Sequence, residues 1–249
     1  MRDYLQFLTN CDGLDTLWRA HTEKMASFGF DRLIYGFTHY RTLSSLGDPE
    51  DFIILTNHPK AYIDVFLGEQ KYIDAPMVKW ALSHDGASSW DIISQMYQSK
   101  TMSIKERQFF EYNQQNQVTA GYTISFRSVS SRTKGAIALT AKAGMSQAEV
   151  NTVWDKHGAD ILLMNNIAHL KILTMPNNVP GRVLTERQRE ALEWVGDGKT
   201  MQDIAAIMGL TSATVEKHLR LARQALSVDT TAQAVLKASF ANQMFTQRL

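Results

Sequence analysis

The chain holds a single cysteine, Cys11, among 249 residues, so no internal disulfide can staple it. A lone thiol in such a setting reads as a small buried hydrophobe rather than a nucleophile. No apolar run approaches the roughly 18 residues that a membrane-spanning helix needs. The opening segment, MRDYLQFLTNCDG, mixes charge into its apolar residues, unlike a signal peptide, and a cytoplasmic location with no membrane partner is expected. Charge of one sign is equally scarce: 26 Lys and Arg against 25 Asp and Glu leave a formal net charge of +1. The chain therefore has no general pull toward polyanions, and any nucleic-acid binding must come from a local patch. Catalytic and metal-site patterns are missing too. His58, His84, His157 and His169 are scattered, without an HExxH, GxSxG, P-loop or CxxC arrangement beside them. Each reads as a surface or satisfied histidine, and no enzymatic activity, metal or cofactor is expected.

What is present divides the chain. Hydrophobic residues make up 44% of it, enough for one large or two modest cores. Residues 174–183, TMPNNVPGRV, interrupt helical patterning with two prolines, two asparagines and a glycine, marking a linker between residues 1–173 and 184–249. In the first part, Leu14, Leu17, Trp18, His21, Met25 and Phe28 form a helical stripe ended by Gly29. Strand patterns follow at Leu33 to Thr38, Phe52 to Thr56, Gly121 to Phe126 and Gly135 to Thr140, the last two flanking the turn-rich SVSSRTKG. Helix starts lie at Pro59 and at two capping boxes, Ser103 with Glu106 and Ser146 with Glu149. This mixture predicts an α/β sandwich with an antiparallel sheet.

Residues 184–231 carry a different signature, three short amphipathic helices in an all-α unit. Thr185 with Gln188 caps the first, whose Leu192 and Val195 share a face before Gly198. Thr200 with Asp203 opens the second, with Ile204 and Met208 apolar before Gly209. Thr211 opens the third, where Val215, Leu219, Ala222 and Leu226 fall on one stripe and Ala213, Lys217, Arg220 and Gln224 on the opposite face. Any solvated helix can carry cations outside and leucines inside. Helix, turn and helix in this order, with Lys, Arg and Gln outward, match a recognition helix in the DNA major groove.

These residues resemble the four-helix helix-turn-helix module of LuxR-type transcription regulators. The pattern elements stand in register as Leu184, Thr185, Glu190, Leu192, Trp194, Gly198, Lys199, Thr200, Ile204, Ala205, Thr214, Val215 and His218. Gln188 departs from the usual Glu but still completes a capping box. The resemblance implies that Lys217 and Arg220 face base edges, while Lys199, Thr200, Thr214, His218 and Arg223 hold phosphates, which position without specifying sequence. Residues 182–249 carry nine Lys and Arg against seven Asp and Glu, net +2, so the module alone should bind weakly and need a second copy. The segment from Thr230, with Ala234, Val235, Ala238 and Phe245, either dimerises, as the family's last helix does, or closes its own core. The expected macromolecular partners are double-stranded DNA, as an inverted-repeat operator, and a second copy of the chain.

The stretch 58–90 resembles the signal-binding domain of the same family. Tyr62 and Phe66, four apart after Pro59, share a helical face. With Pro76 at the family proline, Tyr62, Phe66 and Trp90 take the three aromatic positions and Gly121 the glycine before a strand. The family's Trp, Tyr and Asp hydrogen-bond the head group of an acyl-homoserine lactone. Here Tyr62 keeps a donor of different reach, Phe66 has none, and Ala75 holds the acidic position with the carboxylate one residue away at Asp74. A one-residue shift redirects a side chain by about 100° or 180°. The implied function is a transcription regulator controlled by a small signal molecule, an acyl-homoserine lactone or a divergent ligand. The alternative within the same architecture is an orphan regulator that acts without a lactone. A phosphorylation-controlled response regulator would need repeated βα units and an acidic pair after the first strand, which residues 1–173 lack.

An unpaired buried polar group costs about 1–3 kcal/mol, and two or three anchors have changed. Isothermal titration with an N-acyl-homoserine lactone is therefore expected to show binding weakened by roughly two orders of magnitude relative to a protein with all three anchors. Tight binding of a common lactone would show that Asp74 and Tyr62 substitute for them.

Overall fold

Strand alternation decides the layering of the first part of the chain. In the computed structural model, which describes residues 1–42, 45–176 and 182–245, five strands form one antiparallel sheet. They are β1 (Phe30–Thr38), β2 (Ile53–Thr56), β3 (Gly86–Ser89), β4 (Gly121–Phe126) and β5 (Lys134–Ala141), in the order β2-β1-β5-β4-β3. Successive side chains of a strand point to opposite faces. Leu33 and Tyr35 of β1, Tyr122, Ile124 and Phe126 of β4, and Ile137 and Leu139 of β5 are buried on one face. That face packs against the 28-residue helix α7 (Gln147–Thr174). Tyr122 stacks on Trp154 with 3.9 Å between ring centroids, and Phe126 on His169 at 4.0 Å. Two helices precede the sheet, α1 (Arg2–Asn10) and α2 (Leu14–Ala26), and α2 packs on β1.

The other face carries small residues brought together by register, with Ile34 and Ile54 toward its β2 edge. Gly36 stands opposite Ala136, Ser125 opposite Ala136, and Thr123 opposite Ala138. Over it lie α3 (Lys60–Ile63), α4 (Pro76–Ser83), α5 (Asp91–Gln98) and α6 (Ile104–Gln115). The capping box of Ser103 and Glu106 opens α6, and Ser146 and Glu149 exchange the same pair of bonds at the start of α7. The α/β sandwich with an antiparallel sheet is thus the architecture of this part.

Four details correct the sequence reading. Helix α1 lies where no element is assigned, because only Leu8 of its residues is buried. Strand β3, GASS, escapes for a similar reason: small polar residues carry no apolar alternation, and only its pairing with β4 makes it a strand. Phe28 and Gly29 lie beyond the end of α2, with Gly29 at φ +96°. Helix α7 runs on through Thr174, so the expected linker 174–183 begins inside a helix, and its residues 177–181 lie outside those described.

The chain divides into two compact units, Met1–Leu173 and Thr174–Leu249. The second contains α8 (Glu186–Gly196), α9 (Met201–Met208), α10 (Ser212–Ala225) and α11 (Thr231–Phe240). Capping boxes open α8, α9 and α11, and Thr211 caps α10. Gly209 closes α9 in the left-handed conformation, φ +65°, that an L side chain resists. Val215, Leu219, Ala222 and Leu226 are buried with Leu192, Ile204 and Met208. Ala234 and Ala238 of α11 join this core, whereas Phe245 lies beyond the helix and is exposed. The Gln243 side chain accepts from Leu184 N and donates to Arg182 O, tying the two ends of the unit together.

Two buried histidines sit in polar pairs in the first unit. The Asn165 amide nitrogen donates to Ile161 O, so its oxygen accepts from His21 Nε2–H, and His21 Nδ1 then accepts from the Tyr4 hydroxyl at 2.7 Å. His169 Nδ1 meets the Tyr35 hydroxyl at 2.8 Å. Burial pushes both imidazoles down to about 4, and His58, discussed below, down to the same value. The unfolded chain, with ordinary histidines near 6.5, binds these protons first. Stability is therefore full above pH 6.5 and falls as pH drops toward 4, by about 1.4 kcal/mol per pH unit for each histidine. Urea denaturation from pH 7 to 5.5 is expected to show this loss above the range where carboxylates titrate. A flat profile there would contradict neutral burial of the histidines.

Candidate ligand cavity and DNA-binding surface

Because the sheet face beneath α3–α6 is small, the two layers leave a cavity of about 180 Å³. Gly36, Ala136 and Ala138 line its floor, with Thr123 and Thr140 beside them, and Tyr62, Phe66, Tyr72, Trp90 and Phe109 supply aromatic walls. Pro59 opens α3, which continues through a π-helical turn, Asp64–Gly68. Tyr62 and Phe66 consequently stack at 5.9 Å, and Tyr112 of α6 stacks on Tyr62 at 5.5 Å. The Tyr62 hydroxyl donates to Asn113 Oδ1 at 2.9 Å. Burial raises its pKa, so it remains a protonated donor.

Trp90 is held by a polar network. Its backbone N–H donates to Gly121 O, and its indole N–H to Thr123 Oγ1 at 2.9 Å. On either side, Ser89 Oγ donates to Asn151 Oδ1, and Asn151 Nδ2 to Asp91 Oδ2 at 2.7 Å. Gln147 of α7 accepts from Gly121 N and donates to Gly121 O. The indole thus reaches the cavity with its polar edge already satisfied.

Two of the expected ligand residues lie elsewhere. Asp74 ends a short 3₁₀ turn, Lys71–Asp74, and its carboxylate faces Lys105 at 4.0 Å. It does not line the cavity, whereas the next residue, Ala75, does. The one-residue shift has turned the acid outward. Gly121 does not line the cavity either. A Cβ there would stand 2.3 Å from Leu139 O and 3.0 Å from the Trp90 ring, so its role is to admit the β5 backbone and that ring. Tyr62, Phe66 and Trp90 do come together.

One lining residue was misread. His58 is buried rather than at the surface, and its ring stacks on Tyr62 at 4.8 Å. Nε2 stands 3.4 Å from Thr140 Oγ1, while Nδ1 has no hydrogen-bond partner among the described residues. The signal was present in the sequence: His58 precedes Tyr62 by the same four residues that separate Tyr62 from Phe66.

On the second unit, α9, the turn Gly209-Leu210-Thr211 and α10 form a helix-turn-helix. Ala213, Lys217, Arg220 and Gln224 are all exposed on the face opposite the buried stripe. Lys199 and Thr200 stand exposed at the start of α9, while Thr214 and His218 are half-buried. The side chains of Lys199 and Lys217 make no hydrogen bond or ion pair among the described residues, and Arg220 reaches only Gln224 Oε1 at 3.4 Å. Thr200 Oγ1 donates to Asp203 Oδ2 at 2.6 Å as part of its cap. Arg223, expected to hold a phosphate, is engaged within the unit. Its guanidinium donates to Thr231 Oγ1 at 2.8 Å and to Glu216 Oε1 at 2.9 Å, fastening α10 to the start of α11.

Comparison with known proteins covers both units. Residues 13–172 match a family model described as an autoinducer binding domain, and residues 182–226 one described as sigma-70, region 4. The chain is 27% identical over 229 residues to the transcriptional activator protein AnoR of Acinetobacter nosocomialis, covering 90% of each. It is 21% identical to the transcriptional activator protein EsaR of Pantoea stewartii, covering 92% of each. The fold is similar to a crystal structure of Escherichia coli SdiA, with a TM-score of 0.57 at 14% identity over 98% of both chains. It is also similar to CepR2 from Burkholderia cenocepacia, a lactone-dependent factor by its description, with a TM-score of 0.52 at 14% identity over 69% of this chain and 92% of that one.

The Gly121 contact yields a direct test. Gly121→Ala is expected to lower the unfolding free energy by about 1–3 kcal/mol, because the methyl meets a strand carbonyl that cannot yield. Chemical denaturation reads the change; an unaltered midpoint would mean that Trp90 and β5 have slack the structure does not show.

Proposed function

The chain belongs to the LuxR-type family of autoinducer-binding transcription regulators, and from that membership we propose how its two units divide the work. It is a DNA-binding regulator under the control of a small signal molecule. The observation that carries the finer reading is the pairing, in one chain, of an apolar cavity with a helix that buries one stripe and leaves Lys217 and Arg220 exposed on the other face.

In this reading Lys217 and Arg220 contact base edges in the major groove, and Lys199, Thr200, Thr214, His218 and Arg223 lie against phosphates. With a net charge of only +2 on residues 182–249, one copy binds weakly. Two copies place their recognition helices about 34 Å apart on an inverted repeat. Leu236, Phe240 and Phe245, large apolar side chains exposed at the C-terminal end, support pairing through this segment. The signal acts by linkage: a ligand at about 100 times its Kd stabilises the state it binds by about 2.7 kcal/mol. Ala75 in the acidic position favours a ligand other than a standard acyl-homoserine lactone.

The test uses the full chain and a duplex selected from random sequence. Lys217→Ala and Arg220→Ala are each expected to cost about 1–3 kcal/mol and to relax preference at particular base pairs. Lys199→Ala should weaken all duplexes alike and reduce the salt slope by about 1. Fluorescence anisotropy at several salt concentrations separates the two behaviours. Equal loss on every sequence for Lys217→Ala and Arg220→Ala would move α10 from reading bases to holding the backbone.

A further inference from the structure

Among the described residues that line the cavity, Ser94, Gln114 and Thr119 are exposed, and the rest are buried or half-buried. These three therefore mark its mouth. Ser94 belongs to α5, Gln114 to the last turn of α6, and Thr119 to the segment before β4. Residues 99–103 turn the chain back from α5 to α6, and Tyr97 stacks on Phe110 across the two helices at 4.5 Å. Ser94 stands one turn before Tyr97 and Gln114 one turn after Phe110, so both fall on the same side of that stack. Phe110 lines the cavity as well, and the apolar wall ends in a polar rim.

Interior and rim differ in what they leave free. Inside, Tyr62 donates to Asn113 Oδ1, Trp90 to Thr123 Oγ1 and Thr38 to Leu46 O, while Thr140 Oγ1 stands 3.4 Å from His58 Nε2. Phe66 and Ala75 bring no polar side chain. The Tyr72 hydroxyl is left without a hydrogen bond among the described residues. At the rim, by contrast, the Ser94 and Thr119 hydroxyls and the Gln114 amide all lack one, and Asn113, one residue before Gln114, keeps Nδ2 free. Hydroxyls and amides both donate and accept. A polar head drawn inside would shed its water for little return, whereas a head at the rim gains partners and stays half-hydrated. Charge is not matched at either place. No Asp or Glu among the described residues lines the cavity, and the lining Lys134 is held by Asp85 Oδ1 at 2.7 Å. Arg107 and Glu111, on the outer part of α6, pair with each other at 3.1 Å.

Resting on the reading of this cavity as the signal site, we infer that its ligand sits tail first. An apolar chain fills the interior, and an uncharged head rich in hydroxyl or amide groups stays at the mouth, hydrogen-bonded by Ser94, Gln114 and Thr119. Phe66 and Ala75 are then contacts of the chain. The interior limits the length of that chain, while the head, half in solvent, is free to be large.

Octyl glucoside and octyl maltoside share a chain and differ by one sugar in the head, and 1-chlorooctane carries the chain without a hydrogen-bonding head. Their affinities for the full chain, below micellar concentrations, are read by displacement of the neutral dye N-phenyl-1-naphthylamine. Both glycosides are expected to bind, with dissociation constants within about threefold of each other, because the second sugar lies in solvent. Ser94→Ala combined with Gln114→Ala, at exposed positions outside the core, should weaken the glucoside about tenfold relative to 1-chlorooctane. Tyr72→Phe, which removes the free hydroxyl inside, should leave that ratio unchanged. Exclusion of either glycoside while 1-chlorooctane binds, or a ratio that the paired rim variant does not move, overturns the tail-first orientation and leaves the cavity as signal site. A ratio that falls with Tyr72→Phe places the head inside and overturns it equally. Failure of the dye and all three probes to bind overturns the wider reading and this inference with it.

Discussion

The two faces of the five-stranded sheet are unequal, and most of what the first unit does depends on that inequality. Pairing in register puts large side chains on one face and Gly36, Ala136, Ala138, Thr123 and Ser125 on the other. The large face forms a dense core with α7, in which even the histidines are stacked and hydrogen-bonded. The small face cannot fill the space beneath α3–α6, and the gap is the cavity. Period-two alternation thus separates core from cavity within single strands: Tyr35 lies in one and Gly36 lines the other.

The helix-turn-helix unit uses a complementary device, in which polar side chains fix the helix ends and apolar ones fix their packing. Thr185, Thr200, Thr211 and Thr230 each accept a backbone N–H at a helix start. Four threonine caps leave little doubt in the sequence about where helices begin, and Gly209 ends α9 where its conformation requires it. With boundaries set this way, the outward face of α10 is fixed by the inward one.

That is also why the second unit was more legible in the sequence than the first. Caps, turns and the stripe from Val215 to Leu226 are local signals, readable along the chain. The antiparallel sheet was legible from its alternating strands, apart from β3, whose Gly-Ala-Ser-Ser becomes a strand only beside β4. The site residues divided in the same way. Tyr62 and Phe66 follow from helical spacing. The outward turn of Asp74 depends on a 3₁₀ turn, and the engagement of Arg223 on the position of Thr231 in the next helix. His58 escaped because burial and a missing partner are tertiary facts, even though its spacing from Tyr62 was in view.

The small face of the sheet has one more consequence. At Gly36 an added methyl would meet only Ile54 Cδ1, at 3.5 Å, an ordinary contact, and the backbone there does not have the positive φ that reserves a position for glycine. The pocket floor can therefore be raised by one methyl at Gly36 while the core on the opposite face stays untouched. A change of shape at that point is thereby uncoupled from the packing that holds the sheet to α7.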